Sequence, residues 1–295
     1  PLTLNLSGGA ATAVAIATAP ANGTATISGT GISYQPNASF SGTDSFTYTA
    51  TNGGGTSAPS TVTITVGAPV LTVTAGGPLN ATVGAPYSQT FSFAGGTGPF
   101  GSHQVTGLPA GLALTGTTAD SVTLSGTPRA EGTFTLSVSA SDSSTGNGPF
   151  TASQSFTLTV AAPNLAIAPS SGSFTAPYAT PFSQSFAASG GIGGYSYALG
   201  GNLPAGITLN SATGTVAGTP TTTGSFAFTI VATDNGATGP GAPFTVQGSY
   251  TLNVAAPTIT VTPAMLPNAT AGTADATTLA GPGAVAPYSF SIPGG

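Results

Sequence analysis

Segments in which apolar and hydroxyl residues alternate with period two recur along the whole chain, and little else has a regular pattern. Ser45-Phe46-Thr47-Tyr48-Thr49-Ala50 and Thr61-Val62-Thr63-Ile64-Thr65-Val66 are early examples. Phe134-Thr135-Leu136-Ser137-Val138-Ser139-Ala140 and Phe156-Thr157-Leu158-Thr159-Val160 follow. Phe226-Ala227-Phe228-Thr229-Ile230 and Tyr250-Thr251-Leu252-Asn253-Val254 close the series. Period two puts Phe, Leu and Val on one face of a strand and Thr or Ser on the other, as in antiparallel sheets with one wet face. No window supports a useful amphipathic helix, because Gly and Pro interrupt too often and Glu and Lys are nearly absent.

The alternation belongs to a longer repeat. Val160-Ala161-Ala162-Pro163 returns as Val254-Ala255-Ala256-Pro257, 94 residues later, and Val66-Gly67-Ala68-Pro69 lies 94 residues before the first. Leu108-Pro109-Ala110-Gly111-Leu112 returns as Leu203-Pro204-Ala205-Gly206-Ile207, and Gly126-Thr127-Pro128 as Gly218-Thr219-Pro220. A period this long is a whole domain rather than a solenoid unit. Several short strands within it predict an all-β chain of tandem β-sandwiches. The Ala-Pro junctions divide the chain into 1–67, 68–161, 162–255 and an incomplete further copy, 256–295. In that last copy Tyr288-Ser289-Phe290-Ser291-Ile292 aligns with Tyr195-Ser196-Tyr197-Ala198-Leu199. Half a sandwich needs covalent continuation or a strand from another chain. Pro1, with no Met start and no basic leader, reads as a window from a longer chain.

Two patterns resemble known families. Leu-Pro-Ala-Gly-Leu-x-Leu, then Gly-Thr-Pro, then Gly-Thr-Phe-Thr-Leu-x-Val-x-Ala-x-Asp resembles the Ig-like repeat of large bacterial surface proteins, twice over residues 68–255. Residues 1–67 carry Ala19-Pro20-Ala21-Asn22-Gly23-Thr24, Tyr34-Gln35-Pro36 and Phe40-Ser41-Gly42-Thr43-Asp44-Ser45-Phe46-Thr47-Tyr48. These resemble the bacterial cadherin-like Ig repeat. The resemblance implies immunoglobulin-like sandwiches in an extracellular array at the bacterial cell surface, with no catalytic residues. Within it, Leu108, Leu112 and Leu114 are expected to plug the core around a tight Pro-Gly turn. Phe134 is expected to be a core residue. Pro at each junction favours an extended, stiff connection.

Composition narrows function by exclusion. Of 295 residues, 1 is Lys or Arg and 6 are Asp or Glu, and there is no Cys or Trp. Arg129 alone cannot make a nucleic-acid-binding patch. Cysteine-ligated zinc, thiol catalysis, disulfides and Lys-containing phosphate loops are excluded. With 39% hydrophobic and 8% aromatic residues, the chain is rich enough to fold despite 44 Gly and 25 Pro. No apolar run is long enough for a membrane span in this segment.

Few residues invite a chemical role. His103, the one histidine, sits in Phe100-Gly101-Ser102-His103 with no nucleophile motif near it, which predicts a surface or sheet-edge position rather than a general base. Asp142 and Asp234 end long strands, where true cadherin repeats place a calcium ligand. Here the linkers lack carboxylates, so these two are weak calcium candidates and turn caps by preference; no other cofactor is expected. Asp44 is expected to act likewise. Phe100, Phe150 and Phe244 stand beside Gly-Pro or Ala-Pro turns and are candidates for contacts between domains or subunits.

The outward faces must be nearly uncharged, and near-neutral surfaces associate readily with little salt dependence. The leading expectation is therefore a non-enzymatic structural protein, a repeat segment of a bacterial surface fibre, filament or sheath that self-associates with copies of the same chain. The alternatives are a passive stalk of a large adhesin and a spacer module of a secreted polysaccharide-degrading enzyme.

Overall fold

The computed structural model describes residues 9–283 and 287–292. Among them every regular element is a β-strand. The chain divides into two compact units, Pro1–Ala161 and Ala162–Gly295.

The first unit holds two sandwiches. In the first, strands β1 (Ala13–Thr18), β2 (Gly23–Ser28), β3 (Gly31–Pro36), β4 (Phe40–Asn52), β5 (Gly55–Thr56) and β6 (Ser60–Val66) follow one another. β4 is the centre of its sheet, with β1, β5 and β6 all antiparallel to it. β2 and β3 form a facing hairpin. The alternation puts Phe46 and Ala50 of β4 and Ile32 of the hairpin inside.

The second sandwich comprises β7 (Thr72–Ala75), β8 (Asn80–Thr82), β9 (Tyr87–Ala94), β10 (Gly101–Thr106), β11 (Leu112–Thr117), β12 (Ser121–Gly126), β13 (Gly132–Ser141), β14 (Thr145–Gly146) and β15 (Thr151–Ala161). Two four-stranded sheets, ordered β10-β13-β15-β8 and β11-β12-β9-β7, pack face to face. The chain leaves one sheet after β7 and joins the other at β8, parallel to β15 with Asn80 opposite Thr159. Phe91, Val122, Leu124, Leu136, Val138 and Leu158 are fully buried between the sheets.

The second unit repeats this plan. Its strands are β16 (Ala166–Ala168), β17 (Ser171–Pro177), β18 (Phe182–Ser185), β19 (Ala187–Ser189), β20 (Tyr195–Gly201), β21 (Ile207–Asn210), β22 (Thr215–Gly218), β23 (Gly224–Asp234) and β24 (Phe244–Ala255). The sheet β17-β24-β23-β20 again has one parallel pair, β17 with β24. Its core is aromatic: Phe186 lies 4.5 Å from Tyr250, 5.9 Å from Phe174 and 6.1 Å from Phe228, ring centre to ring centre. Both copies are immunoglobulin-like β-sandwiches.

The recurrent turns clamp one another. Thr127 N–H donates to the Gly111 carbonyl at 3.0 Å, and Arg129 N–H to Ala110 at 2.9 Å. In the next copy Thr219 donates to Gly206 at 3.1 Å and Thr221 to Ala205 at 2.8 Å. Leu-Pro-Ala-Gly and Gly-Thr-Pro therefore recur together because each supplies the backbone partners of the other.

Three expectations need correction. Leu112 is buried and Leu108 half-buried, but Leu114 is 38% exposed: it faces inward opposite the fully buried Leu124, on β11 at the edge of its sheet, where the side chain is only partly covered. Phe134 is only half-buried; it lies near the start of β13 with its ring over Gly132, where the sandwich opens to solvent. Tyr288–Ile292 are not in a strand, whereas Tyr195–Leu199, with which they align, lie in β20.

Candidate functional site: buried carboxylates and the first junction

Each sandwich buries one aspartate and surrounds it with N–H donors. Asp234, the last residue of β23, has no exposed surface. It accepts the N–H groups of Ile192 at 2.8 Å, Gly193 at 3.1 Å and Gly236 at 3.0 Å. Asp142, just beyond β13, accepts Thr97 N–H at 3.2 Å, Ser144 N–H at 3.2 Å and Phe150 N–H at 2.7 Å, and also the Ser144 hydroxyl. Asp44, inside β4, accepts Ala21 N–H at 3.1 Å, Asn22 N–H at 2.9 Å, Ser45 N–H at 2.9 Å and the Tyr34 hydroxyl at 2.8 Å.

Convergent N–H dipoles stabilise a negative charge and oppose a positive one. Burial pushes the Asp142 carboxyl up, but the Ser144 hydroxyl and the N–H groups of Phe150, Thr97 and Ser144 together hold it below the usual range. Asp44 shows the same balance: burial against the Tyr34 hydroxyl and the N–H groups of Asn22, Ser45 and Ala21, with the net shift downward. Tyr34 is in turn pushed up to about 12 by burial, by its bond to Asp44 and by that carboxylate's charge. Among the described residues no three His, Cys, Asp or Glu side chains gather where they could hold a metal ion. The oxygens of Asp142 and Asp234 face hydrogen-bond donors, so the geometry suits loop anchoring better than calcium binding.

Asp142 anchors the segment that joins the two sandwiches of the first unit. Residues 143–149 leave the carboxylate and run beside the start of β4. Thr145 and Gly146 pair in parallel with Phe40 and Ser41. Thr145 N–H donates to Ser39 O at 2.7 Å, and Asn147 N–H donates to Ser41 O at 3.0 Å. The Ser41 hydroxyl donates to Thr145 O at 3.4 Å and the Thr97 hydroxyl to Ala38 O at 3.4 Å. Gly146 has φ +78°, and a Cβ there would collide with the Ser41 carbonyl and the Phe40 ring. Only glycine lets the two backbones approach so closely. Ser41 and Ser144 are buried at this seam.

The three phenylalanines have different surroundings. Phe100 is 6% exposed and stacks on Phe93 at 5.6 Å, leaving its ring little surface for a neighbour. Phe150 and Phe244 are half-buried next to the aspartates: Phe150 donates its N–H to Asp142, and Phe244 sits opposite Asp234 in the β23–β24 ladder. The ring at the junction is that of Phe40, which lies against Gly146. His103 is half-buried with its ring 5.4 Å from Phe93, and its Nε2 is buried without a hydrogen-bond partner.

Comparison with known proteins agrees with this architecture. The family described as "Putative Ig domain" matches residues 68–161 and 164–255, and the family described as "Bacterial Ig domain" matches residues 2–65. No curated protein matches the chain. Among solved structures, an endo-fucoidan hydrolase of glycoside hydrolase family 107 is 17% identical, with a TM-score of 0.35, covering 83% of this chain and 39% of the hydrolase. The protocadherin gamma B4 extracellular domain is 17% identical, with a TM-score of 0.31, covering 84% of this chain and 45% of its own. Mouse cadherin-23 EC22-24 is 16% identical, with a TM-score of 0.29, covering 82% and 86%. At such scores the likeness carries no functional weight. The family matches do: preceded by a bacterial Ig domain, the greater part of this chain belongs to the Putative Ig domain family as two tandem copies.

Proposed function

We propose that the chain is a non-catalytic repeat segment of an extracellular structural protein of the bacterial surface, and that its sandwiches pack laterally against neighbouring copies through uncharged sheet faces. One observation carries this reading. On the outer face of β13–β15 the opposed residues are Thr133 and Thr159, Thr135 and Thr157, Ser137 and Ser155, Ser139 and Ser153, and Ser141 and Thr151. The neighbouring strand β10 extends the face with Gln104 opposite Ser139 and Thr106 opposite Ser137. The first sandwich has the same kind of ladder, Thr43–Thr65, Ser45–Thr63 and Thr47–Thr61.

Soluble monomers ordinarily place charges on such faces to stay apart. Here no carboxylate or cation lies on any of these rungs, and hydroxyls both donate and accept, so two like faces can satisfy each other. A cadherin-like subtype for residues 1–67 fits the same reading. Sedimentation velocity and negative-stain microscopy of the chain over a range of concentration and salt test it. Lateral assemblies that persist at high salt are expected. Dispersed monomers at every concentration would replace lateral packing with the passive stalk.

A further inference from the structure

The two complete copies of the repeat differ in the parallel pair that joins the start of each sandwich to its end. In the second sandwich β8 meets β15 over three residues, Asn80–Thr82. In the third, β17 meets β24 over seven, Ser171–Pro177. The cause lies where the chain crosses between sheets. Gly76 still donates its N–H to Thr90 O of β9 at 2.9 Å, so the crossing falls at Gly77-Pro78. Pro78 has no N–H, and it stands in register where β17 has Ser173. In the third sandwich β16 ends at Ala168, the crossing is complete by Ser171, and the strand runs unbroken to Pro177.

Side chains widen the difference. The Tyr250 hydroxyl donates to Pro169 O at 2.5 Å, and Asn253 Nδ2 donates to the Ser173 hydroxyl oxygen at 2.9 Å. Both bonds tie β24 to the segment it holds. The repeat puts Phe156 and Thr159 in the places of Tyr250 and Asn253, and Pro78 in that of Ser173. Phe156 has no hydroxyl and the Pro78 side chain no oxygen, so neither bond has an equivalent in the second sandwich.

These pairs lie in the path of tension. The chain enters each sandwich ahead of β8 or β17 and leaves it from the end of β15 or β24. Because the strands are parallel, a pull on the two chain ends drags them in opposite directions along their own length. The bonds run from strand to strand, so all of them resist together and the ladder yields as a unit. The preceding strands do not offset this, since β7 and β16 have four and three residues.

We propose that the repeat bears load and that its copies are graded: under end-to-end tension the second sandwich gives way before the third. The inference needs only a load carried along the chain, and it holds for single molecules without lateral packing.

The chain has no cysteine, so introduced pairs place handles uniquely in the intact protein. Ala68→Cys with Ala162→Cys loads the second sandwich, and Ala162→Cys with Ala256→Cys the third; these positions are exposed. Optical tweezers then read each unfolding rate at one constant force. The third sandwich is expected to unfold at least about 100-fold more slowly, as each bonded rung adds to the barrier. Tyr250→Phe with Asn253→Ala should speed it roughly tenfold and leave the second unchanged. Moving its handle from residue 256 to the loop before β24, by Thr238→Cys, makes the pull open the β17–β24 ladder one rung at a time from the Ser171 end. That geometry should raise the rate by at least about tenfold. A rate independent of the handle's place would overturn the proposal, because overall stability and not the parallel pair would then set the resistance. Equal rates for the two sandwiches loaded at their ends would overturn it as well.

Discussion

Asn147 donates its backbone N–H to the carbonyl of Ser41 at 3.0 Å, so a turn of the second sandwich is hydrogen-bonded to a strand of the first. The bond depends on Asp142, which holds both ends of that turn through Ser144 and Phe150. A strand-end aspartate, a hinge position in appearance, therefore stiffens the junction from within. Asp142→Asn keeps the shape but replaces one accepting oxygen by a donor that faces N–H groups. Hydrogen bonds to a charged group are worth about 1.5–3 kcal/mol each. We expect a loss of that order in unfolding free energy, with faster amide exchange at Thr145 and Asn147. Asp234→Asn should destabilise the third sandwich comparably and leave exchange at Thr145 and Asn147 unchanged.

Gly146 tests the seam without touching a carboxylate. Its positive φ and its contact with Ser41 leave no room for a side chain. Gly146→Val should cost on the order of 1–3 kcal/mol at the strained residue and separate β14 from β4. NMR relaxation should then show the first two sandwiches tumbling with different correlation times, whereas in the parent chain they share one. Equal tumbling in the variant would mean that contacts other than the β14–β4 pair hold the junction.

The strands and the repeat were legible because alternation is a local signal with a direct physical cause. Phe156, Leu158 and Val160 face inward for the same reason that Thr157 and Thr159 face out. Leu114 misled because alternation gives the face of a strand and not its place in the sheet, and on the edge strand β11 the inward side is only partly covered. The buried aspartates were legible by type, since a lone Asp before Ser, Asn or Gly caps a turn. Their donors were not, because Thr97 and Ile192 contribute only backbone N–H groups and any residue has one. The junction was hidden for the same reason: Thr145–Gly146 meets Phe40–Ser41 through main-chain bonds, and glycine at 146 is the one trace it leaves. Phe100 stood beside a Gly-Pro turn like Phe150, and only the fold places its ring under Phe93.

The core makes a separate prediction. Leu136 is fully buried in the centre of β13, while Phe134 in the same strand is half-buried. Large-to-small changes at buried leucines cost about 2–5 kcal/mol, depending on how far the cavity collapses. Leu136→Ala should fall in that range and exceed Phe134→Ala in urea unfolding of the second sandwich. The reverse order would mean that the open end of the sandwich is closed in solution.

His103 is a polar residue in an apolar place. Its Nε2 is buried without a partner, and its ring packs on Phe93. A buried unsatisfied polar group costs about 1–3 kcal/mol, and an apolar residue of similar shape removes that penalty. His103→Phe should therefore raise the melting temperature of the second sandwich. A lowered melting temperature would show that Nε2 has a solvent partner.

Stability should fall at both ends of the pH scale, for opposite reasons. Asp44 and Asp142 have folded-state pKa values below their ordinary ones. The unfolded chain then binds protons more readily, so their contribution is complete above the ordinary carboxylate range, about pH 4, and is lost as pH falls through the lower folded values. Tyr34 is displaced upward, to about 12. Its folded form holds the proton more tightly, so its contribution is complete below the ordinary tyrosine value of about 10 and is lost as pH rises towards 12. The contributions of these three groups to the urea midpoint of the first unit should be constant between about pH 5 and 9, the interval between the two titration ranges. They should decline on either side. Asp44→Asn should shrink both declines, because it removes one acid-titrating group and the hydrogen-bonded charge that raises Tyr34. An alkaline decline of unchanged size in that variant would mean that burial alone displaces Tyr34.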